Sequence, residues 1–546
     1  MNNQILKRKQ RVIIIIFILL LFILYAYPLT KSHLIYGSDS PYYLIYAKET
    51  IRHPSLRGTQ VPILLPILIA ALSLGTSINV LTSLKIIVLL LSCIIPLTVF
   101  LFAKKFFGTK TAIFSLFWVL ASPTFYRLTN DLYNNLISEI FIIISFVVIL
   151  FNIRGIYKFT LAGLLLGLAF WSHTLTPLVA VAIYLFDGLV KLIITKRVQV
   201  LIRYVYIILI GVMSSFPQSL PFLFKSPTSQ NDPEFYITPL LVDSFNKFSE
   251  YLSSIGKNPQ ILLSTMYTFS NILYEWIGPI IILFTLGGII LLIKNRSIIN
   301  KSLIISALVI PLTLTLISST GAIGFSDRFI HFIFFPTAVL SSYFLIHIPQ
   351  IISNYNSSLK KSPNIPLFTQ QIITGAIFTI VAINTYPKQI AQVLYRKPTI
   401  STTEYNIYKE TQKYISTNDL VLINDIHFYW FKEVNMNYNI SIYEYYVTQD
   451  ISKGNNDFGY YNPTAEYSKN AYLVAQDSPL TYNESIKGLC TLKDVKKAKK
   501  LFIFFNSSEP GIDVNKMVNH PKDFLPIFVS NKYYLFLLNN SSCVSK

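Results

Sequence analysis

What most constrains this chain is the recurrence of apolar runs between Val12 and Tyr386, each long enough, or nearly so, to carry a helix through hydrocarbon. A bilayer core about 30 Å thick takes about 20 residues of α-helix, and only helices or closed barrels satisfy their own backbone there. Eleven runs have that character: 12–30, 78–103, 111–126, 136–152, 158–172, 175–194, 204–224, 270–293, 302–320, 329–349 and 369–386. They predict an all-α polytopic membrane bundle of about eleven transmembrane helices over residues 1–386. The segment 61–75 is apolar but short and carries Pro62 and Pro66, so it reads as a helix lying at the outer surface. After Pro387 the runs stop. Residues 387–546 are rich in Tyr, Asn and Lys and are punctuated by turn formers, which predicts a C-terminal extracytoplasmic α/β domain. Its expected elements are a helix from about Thr403 to Ile415 and strands near Leu420–Ile423, Leu501–Phe505 and Tyr533–Leu538.

A net charge of +20 could suggest nucleic acid, but the basic residues follow the loops rather than one patch. Eighteen Lys and Arg fall in the loops predicted to be cytoplasmic, against nine in the longer outer loops before residue 387. That asymmetry predicts a cytoplasmic amino end, an extracellular C-terminal domain and a plasma-membrane location, with no nucleic-acid partner. Lys7, Arg8, Lys9 and Arg11 precede the first run without a small-residue cleavage site, so that run reads as an uncleaved span. Acidic residues contribute little to orientation, yet ten of the eleven before residue 387 are expected outside, with Asp187 the exception. Carboxylates gathered on one face point to work done on that face. Cys490 and Cys543 share the outer domain and can form one bridge, while Cys93 sits within a span.

Two outer loops carry the chemistry. In the first, GSDSPYY, Gly37 supplies a tight turn, Asp39 can cap a helix, and Ser40-Pro41 opens that helix. Asp39 reads equally as a cap and as a working carboxylate. In the second, SPTFYRLTNDLYNNLISEIF, a helix begun at about Phe125 would set Arg127, Asp131, Asn135 and Glu139 on one polar stripe entering the bilayer. The plainer alternative is a solvated helix end with an Arg127–Asp131 ion pair. His173 in FWSHTLTP reads as an interfacial histidine or a binding group, and Lys85 as a snorkelling lysine. Arg328 in SDRFIHF, with His331 close behind, is the best candidate to grip a lipid phosphate through paired hydrogen bonds. The chain has no His-Glu-x-x-His, no zinc-spaced cysteine pairs, no phosphate-cradling glycine loop and no Gly-x-Ser-x-Gly. An outer-face enzyme without a nucleotide site must take an activated sugar from a lipid.

With these features in order, the chain resembles the GT-C superfamily of integral-membrane glycosyltransferases, particularly proteins similar to dolichyl-phosphate-mannose protein mannosyltransferases. The resemblance spans most of residues 1–386 and rests on GSDSPYY after the first span, PILLPILIAALSLG at the surface, the short turn KKFFGTK, SPTFYRLTNDLYNN, a His after the fifth span and SDRFIHF. It implies that 1–386 is a catalytic membrane domain transferring a sugar from a polyprenyl-phosphate or dolichyl-phosphate donor to an outer-face acceptor, with inversion. It implies Asp39 and Asp131 as catalytic carboxylates, and Arg328 at the donor phosphate. Arg127 and His173 are further candidates there. Two carboxylates sharing a divalent ion would favour Mg²⁺ or Mn²⁺. The implied partners are the polyprenyl-phosphate sugar, membrane lipids, and a protein or lipid-linked glycan acceptor. Asp39-Ser40-Pro41 departs from the paired Asp-Glu of several related families, leaving base and metal roles open. No WWDxG motif is present, which argues against transfer of whole glycans to asparagine. The competing readings are an outer-face polysaccharide polymerase or ligase, and a transporter of lipid-linked sugars; no inverted repeat supports the transporter.

Overall fold

The computed structural model describes residues 2–37, 39–53, 63–130, 132–151, 155–224, 246–251, 253, 254, 258, 260–294, 301–320, 329–360, 367–423, 425–435, 439–442, 489, 490, 493, 494, 497–506, 515–530 and 532–544. In chain order the helices are α1 (Asn2–Lys31), α2 (Ser40–Arg52), α3 (Leu64–Thr76), α4 (Val80–Phe107), α5 (Thr109–Ala121), α6 (Pro123–Leu128), α7 (Tyr133–Ile149), α8 (Tyr157–Ser172), α9 (Leu175–Thr195) and α10 (Val198–Phe224). They continue with α11 (Gln260–Trp276), α12 (Pro279–Lys294), α13 (Ser302–Ser318), α14 (Phe334–Lys360), preceded by a 3₁₀ turn at Ile330–Ile333, and α15 (Leu367–Leu394). Each predicted run coincides with helix, so the polytopic α-helical membrane bundle stands. The count of about eleven crossings is met only in part among the described residues. Five helices are long and apolar enough alone: Val12–Lys31, Val80–Phe107, Leu175–Thr195, Val198–Phe216 and Ile330–Ile352. A sixth requires α11 and α12 to act together, and they are bent by 97°. Several other runs fold as helices of 13–17 residues, and 13 residues reach only about 20 Å at 1.5 Å each.

The bend corrects the run read as one span over 270–293. Gly278 takes φ +88°, which side chains with a Cβ resist, and Pro279 then starts the second helix at its first position, where no N–H is needed.

The described residues of Met1–Gly37, His53–Lys225 and Tyr236–Lys397 form one compact unit; those of Ser38–Arg52 and Pro398–Lys546 form another. In the first, small residues let helix backbones approach, as lipid-embedded bundles require in the absence of a hydrophobic drive between helices. A Cβ on Gly163 of α8 would lie 2.6 Å from Ile210 of α10. Asp187 ties three helices and is fully buried. Its carboxylate accepts from Lys191 Nζ at 2.8 Å, from the Tyr204 hydroxyl at 2.5 Å, and from Ser302 Oγ. Lys85 does not snorkel: its ammonium donates to the carbonyls of Leu29, Ser32 and His33 at 2.7–2.9 Å. Three N–H groups meet three acceptors at the end of α1, a use that also suits the negative end of a helix.

The second unit is α/β. After α16 (Thr402–Thr411) come β1 (Leu420–Ile423), α17 (Asp425–Val434), β2 (Asn439–Ile442), β3 (Leu501–Asn506), α18 (Asn515–Val518), β4 (Phe524–Ser530), β5 (Tyr533–Leu538) and α19 (Ser541–Val544). The five strands form one sheet in the order β2-β1-β3-β5-β4. β1 lies parallel to β2 and β3, while β5 is antiparallel to β3 and β4. The parallel step from β1 to β2 passes through α17, the helical crossover such a pair needs. A capping box starts α16: Ser401 Oγ accepts from the Glu404 N–H at 3.1 Å and the Glu404 carboxylate accepts from the Ser401 N–H at 2.6 Å. Cys490 and Cys543 are joined in a disulfide, with Cα atoms 5.5 Å apart.

Candidate functional site

Asp39 lies in the second unit, half-buried, where its backbone carbonyl accepts from the Tyr43 N–H at 3.3 Å. It therefore occupies the N-cap of α2, as its position before Ser40-Pro41 predicted. Gly37, two residues earlier, has φ +94°, so the turn expected there is present and needs a residue without a Cβ. The rings of Tyr43 and Tyr46 lie 5.7 and 4.5 Å from that of Tyr42, and Tyr429 of α17 stands 5.8 Å away on another side. Burial, then these three tyrosines, then the Asp39 carboxylate hold the Tyr42 hydroxyl protonated well above its usual range. The Asp39 carboxylate is thus near enough to the Tyr42 hydroxyl to act on it.

Asp131 and Arg328 lie outside the described residues. What flanks Asp131 corrects the proposed polar stripe. The helix started at Pro123 ends at Leu128, and α7 begins afresh at Tyr133. Arg127 and the pair Asn135 and Glu139 therefore stand on different helices. The break has a visible cause. Arg396, which follows α15, donates from Nη1 to the Thr129 carbonyl at 2.9 Å, and from Nη2 to the Tyr126 carbonyl at 2.7 Å and to Thr129 Oγ1 at 2.8 Å. A continuing α-helix would give the Tyr126 carbonyl to the N–H of residue 130. That N–H instead donates to Arg127 at 3.0 Å, tightening the last turn. Arg396 is only 7% exposed, and its guanidinium lies 4.5–5.3 Å from the rings of Tyr25, Tyr36 and Tyr126. Planar donors and a polarisable face suit arginine to this pocket and not lysine. Sequence reasoning missed Arg396 because nothing local distinguishes it from the basic residues that open the tail.

Arg127 is exposed and its guanidinium stacks on Trp276 at 4.5 Å. The edge of His331, in the 3₁₀ turn, meets the same indole at 5.0 Å. Trp276 is held by its own backbone, whose carbonyl accepts from Thr124 Oγ1 at 2.5 Å. The structure thus brings together Arg127 and His331, which sequence reading had kept in separate motifs, through a tryptophan at the bend before α12. His173 closes α8, and its Nδ1 lies 2.6 Å from Thr176 Oγ1 and 3.1 Å from the Thr176 N–H. Thr176 Oγ1 also accepts from Asn135 Nδ2 at 3.3 Å. His173 is therefore tied through Thr176 to α7, one turn from Glu139.

Glu139 is fully buried, and neither carboxylate oxygen has a hydrogen-bond partner among the described residues. An unpaired acid at such depth is costly and marks either a functional path or a removable burden. Glu139→Leu is expected to raise the thermal stability of the purified protein by about 1–3 kcal/mol. A lower melting temperature in detergent would show that an unseen partner holds it.

Among the described residues no group of three or more His, Cys, Asp or Glu is arranged to hold a metal ion. Asp39 is the one described member of the expected pair of carboxylates.

No protein-family model matches the chain, and no curated protein matches it. Solved structures do. The oligosaccharyltransferase AglB from Archaeoglobus fulgidus, in complex with an inhibitory peptide and a dolichol-phosphate, aligns with TM-score 0.60 at 12% identity over 91% of this chain and 69% of its own. The same enzyme tethered to an acceptor peptide containing an NVT sequon aligns with TM-score 0.62 over 92% and 69%. ArnT from Cupriavidus metallidurans bound to undecaprenyl phosphate aligns with TM-score 0.53 at 10% identity, over 97% of this chain and 98% of its own.

Proposed function

We propose that this chain, which has the GT-C fold of integral-membrane glycosyltransferases, moves a sugar from a polyprenyl-phosphate lipid to an acceptor outside the cytoplasm. The observation that carries the reading is the end-to-end likeness to a transferase solved with undecaprenyl phosphate, joined by the likeness to one solved with a dolichol-phosphate. The donor is a single sugar on a lipid phosphate rather than a whole glycan, in keeping with the missing WWDxG motif.

In the proposed reaction Asp39 takes the proton from the acceptor hydroxyl as its oxygen attacks the anomeric carbon. The bond from that carbon to the lipid phosphate breaks with inversion, and the phosphate leaves with the electron pair. Arg328 stabilises the charge that develops on it, with Arg127 and His173 as further donors. Asp131 is the second acid, either orienting the acceptor or sharing a divalent ion with Asp39; oxygen ligands suit Mg²⁺ or Mn²⁺. A protein or a lipid-linked glycan is the acceptor class. The tail, read as extracellular, follows from the basic residues gathered in the opposite loops.

The test supplies purified full-length protein in detergent with dolichyl-phosphate mannose, dolichyl-phosphate glucose, undecaprenyl-phosphate sugars and, separately, the matching nucleotide sugars. Release of polyprenyl phosphate from a lipid donor is expected. Turnover of nucleotide sugars with none of the lipid donors would overturn the reading.

A further inference from the structure

The helix that Asp39 opens is seated by the C-terminal part of the chain, through a small polar clamp outside the described catalytic groups. Lys48, two turns into α2, donates from Nζ to Glu433 Oε1 at 2.6 Å and to the Glu433 carbonyl at 3.1 Å. The other carboxylate oxygen, Oε2, accepts from the Tyr405 hydroxyl of α16 at 2.9 Å. The Glu433 side chain is 4% exposed and that of Lys48 is 31% exposed. Four residues before Glu433 on α17, and so on the same face one turn away, Tyr429 meets the ring of Tyr42. Thus α17 touches α2 at two places, one at Tyr42 near Asp39 and one at Lys48, about 9 Å further along the helix.

A buried ion pair is a poor source of net stability, because desolvation offsets most of the attraction. What it does well is fix geometry, since both carboxylate oxygens of Glu433 are already committed. Fixing is needed here. Gly37 sits at φ +94°, and glycine restrains the chain after it less than any other residue, so the direction of Asp39 is best set from the other side, by the rigid body of α2. We propose that Glu433, with Lys48 and Tyr405, is a positioning group for Asp39, so that the C-terminal α/β unit controls the reaction by holding α2. This rests on the proposed role of Asp39.

The experiment compares full-length Lys48→Met, Lys48→Arg, Glu433→Gln and Asp39→Asn with the wild type, using whichever polyprenyl-phosphate sugar the wild type turns over. A carboxylate displaced by about 1 Å costs on the order of a hundred-fold in rate. Lys48→Met and Glu433→Gln are expected to lower kcat by about ten- to a hundred-fold with the donor KM unchanged, and Lys48→Arg to recover most of it. Hydrogen exchange at the amides of Ser40–Arg52 is expected to quicken in Lys48→Met and to return towards wild type in Lys48→Arg. Wild-type kcat in Lys48→Met, or equal losses in kcat, KM and melting temperature that Lys48→Arg does not relieve, would overturn the proposal. If Asp39→Asn turns over normally, the catalytic reading of Asp39 has failed, and exchange at α2 still reports whether the clamp holds the helix.

Discussion

Asp39→Asn is expected to lower turnover with a lipid-phosphate sugar by about a hundred-fold or more while leaving the melting temperature within a few degrees of wild type. Asparagine keeps the shape of the side chain and still serves as a helix cap, so α2 should retain its start. What it loses is the negative charge that accepts a proton. The combination of an unaltered fold and a large rate loss separates a chemical role from capping, the two functions that the position supports. Asp131→Asn is expected to lose activity in the same way. Adding a chelator and then Mg²⁺ or Mn²⁺ divides the roles further. Loss and recovery of activity would assign a shared ion, whereas indifference to the chelator would leave Asp39 as a proton acceptor alone. Near-normal turnover in both Asn variants would remove the site assignment altogether.

Arg396→Ala is expected to destabilise the membrane unit by about 2–4 kcal/mol. The Thr129 carbonyl and hydroxyl lose the guanidinium together, and the Tyr126 carbonyl keeps only the Thr129 hydroxyl at 3.0 Å. Each buried acceptor left unmade costs about 1–3 kcal/mol, offset in part by removal of a desolvated charge. Three tyrosine rings also lose the cation they surround. Arg396→Lys should recover only part of the loss, because a compact ammonium lacks the planar fork of donors and the flat face that lies against the three rings. The freed carbonyls are those that end α6, so the segment leading to Asp131 should loosen and activity should fall in step. Thermal unfolding followed by intrinsic fluorescence checks the first claim, and an unchanged transition in Arg396→Ala would refute it.

The parts of the fold that were legible in the sequence were those written in long local patterns. Runs such as 78–103 and 329–349 announce helices because about 20 apolar residues in succession have few other uses. Leu501–Asn506 and Tyr533–Leu538 were legible as strands for a similar reason, with aromatic and branched residues bounded by turns. The strand Phe524–Ser530 was missed because it holds Pro526, which normally speaks against a strand. It pairs on one side only, at the sheet edge, and its register slips between Pro526 and Phe528, which is where proline is tolerated. Asn439–Ile442 was too short to signal anything. At the candidate site, the turn at Gly37 and the cap at Asp39 followed from adjacent residues. The break at Thr129 did not, because its cause is a guanidinium 267 residues later in the chain. The clamp on α2 was hidden for the same reason: a lysine and a glutamate in separate segments carry no mark of each other.

The pairing of Lys48 with Glu433 joins residues 385 apart, which has a consequence for how the protein is made. A ribosome adding about 5–20 residues each second needs roughly 20–80 s to travel that interval. For all that time the nascent aspartate-bearing helix waits without its seat, while most of the apolar helices are made. The second unit is therefore completed late, when α17 emerges and packs on a segment translated near the beginning. A chain cut short anywhere before Glu433 would carry Asp39 on a helix without this anchor.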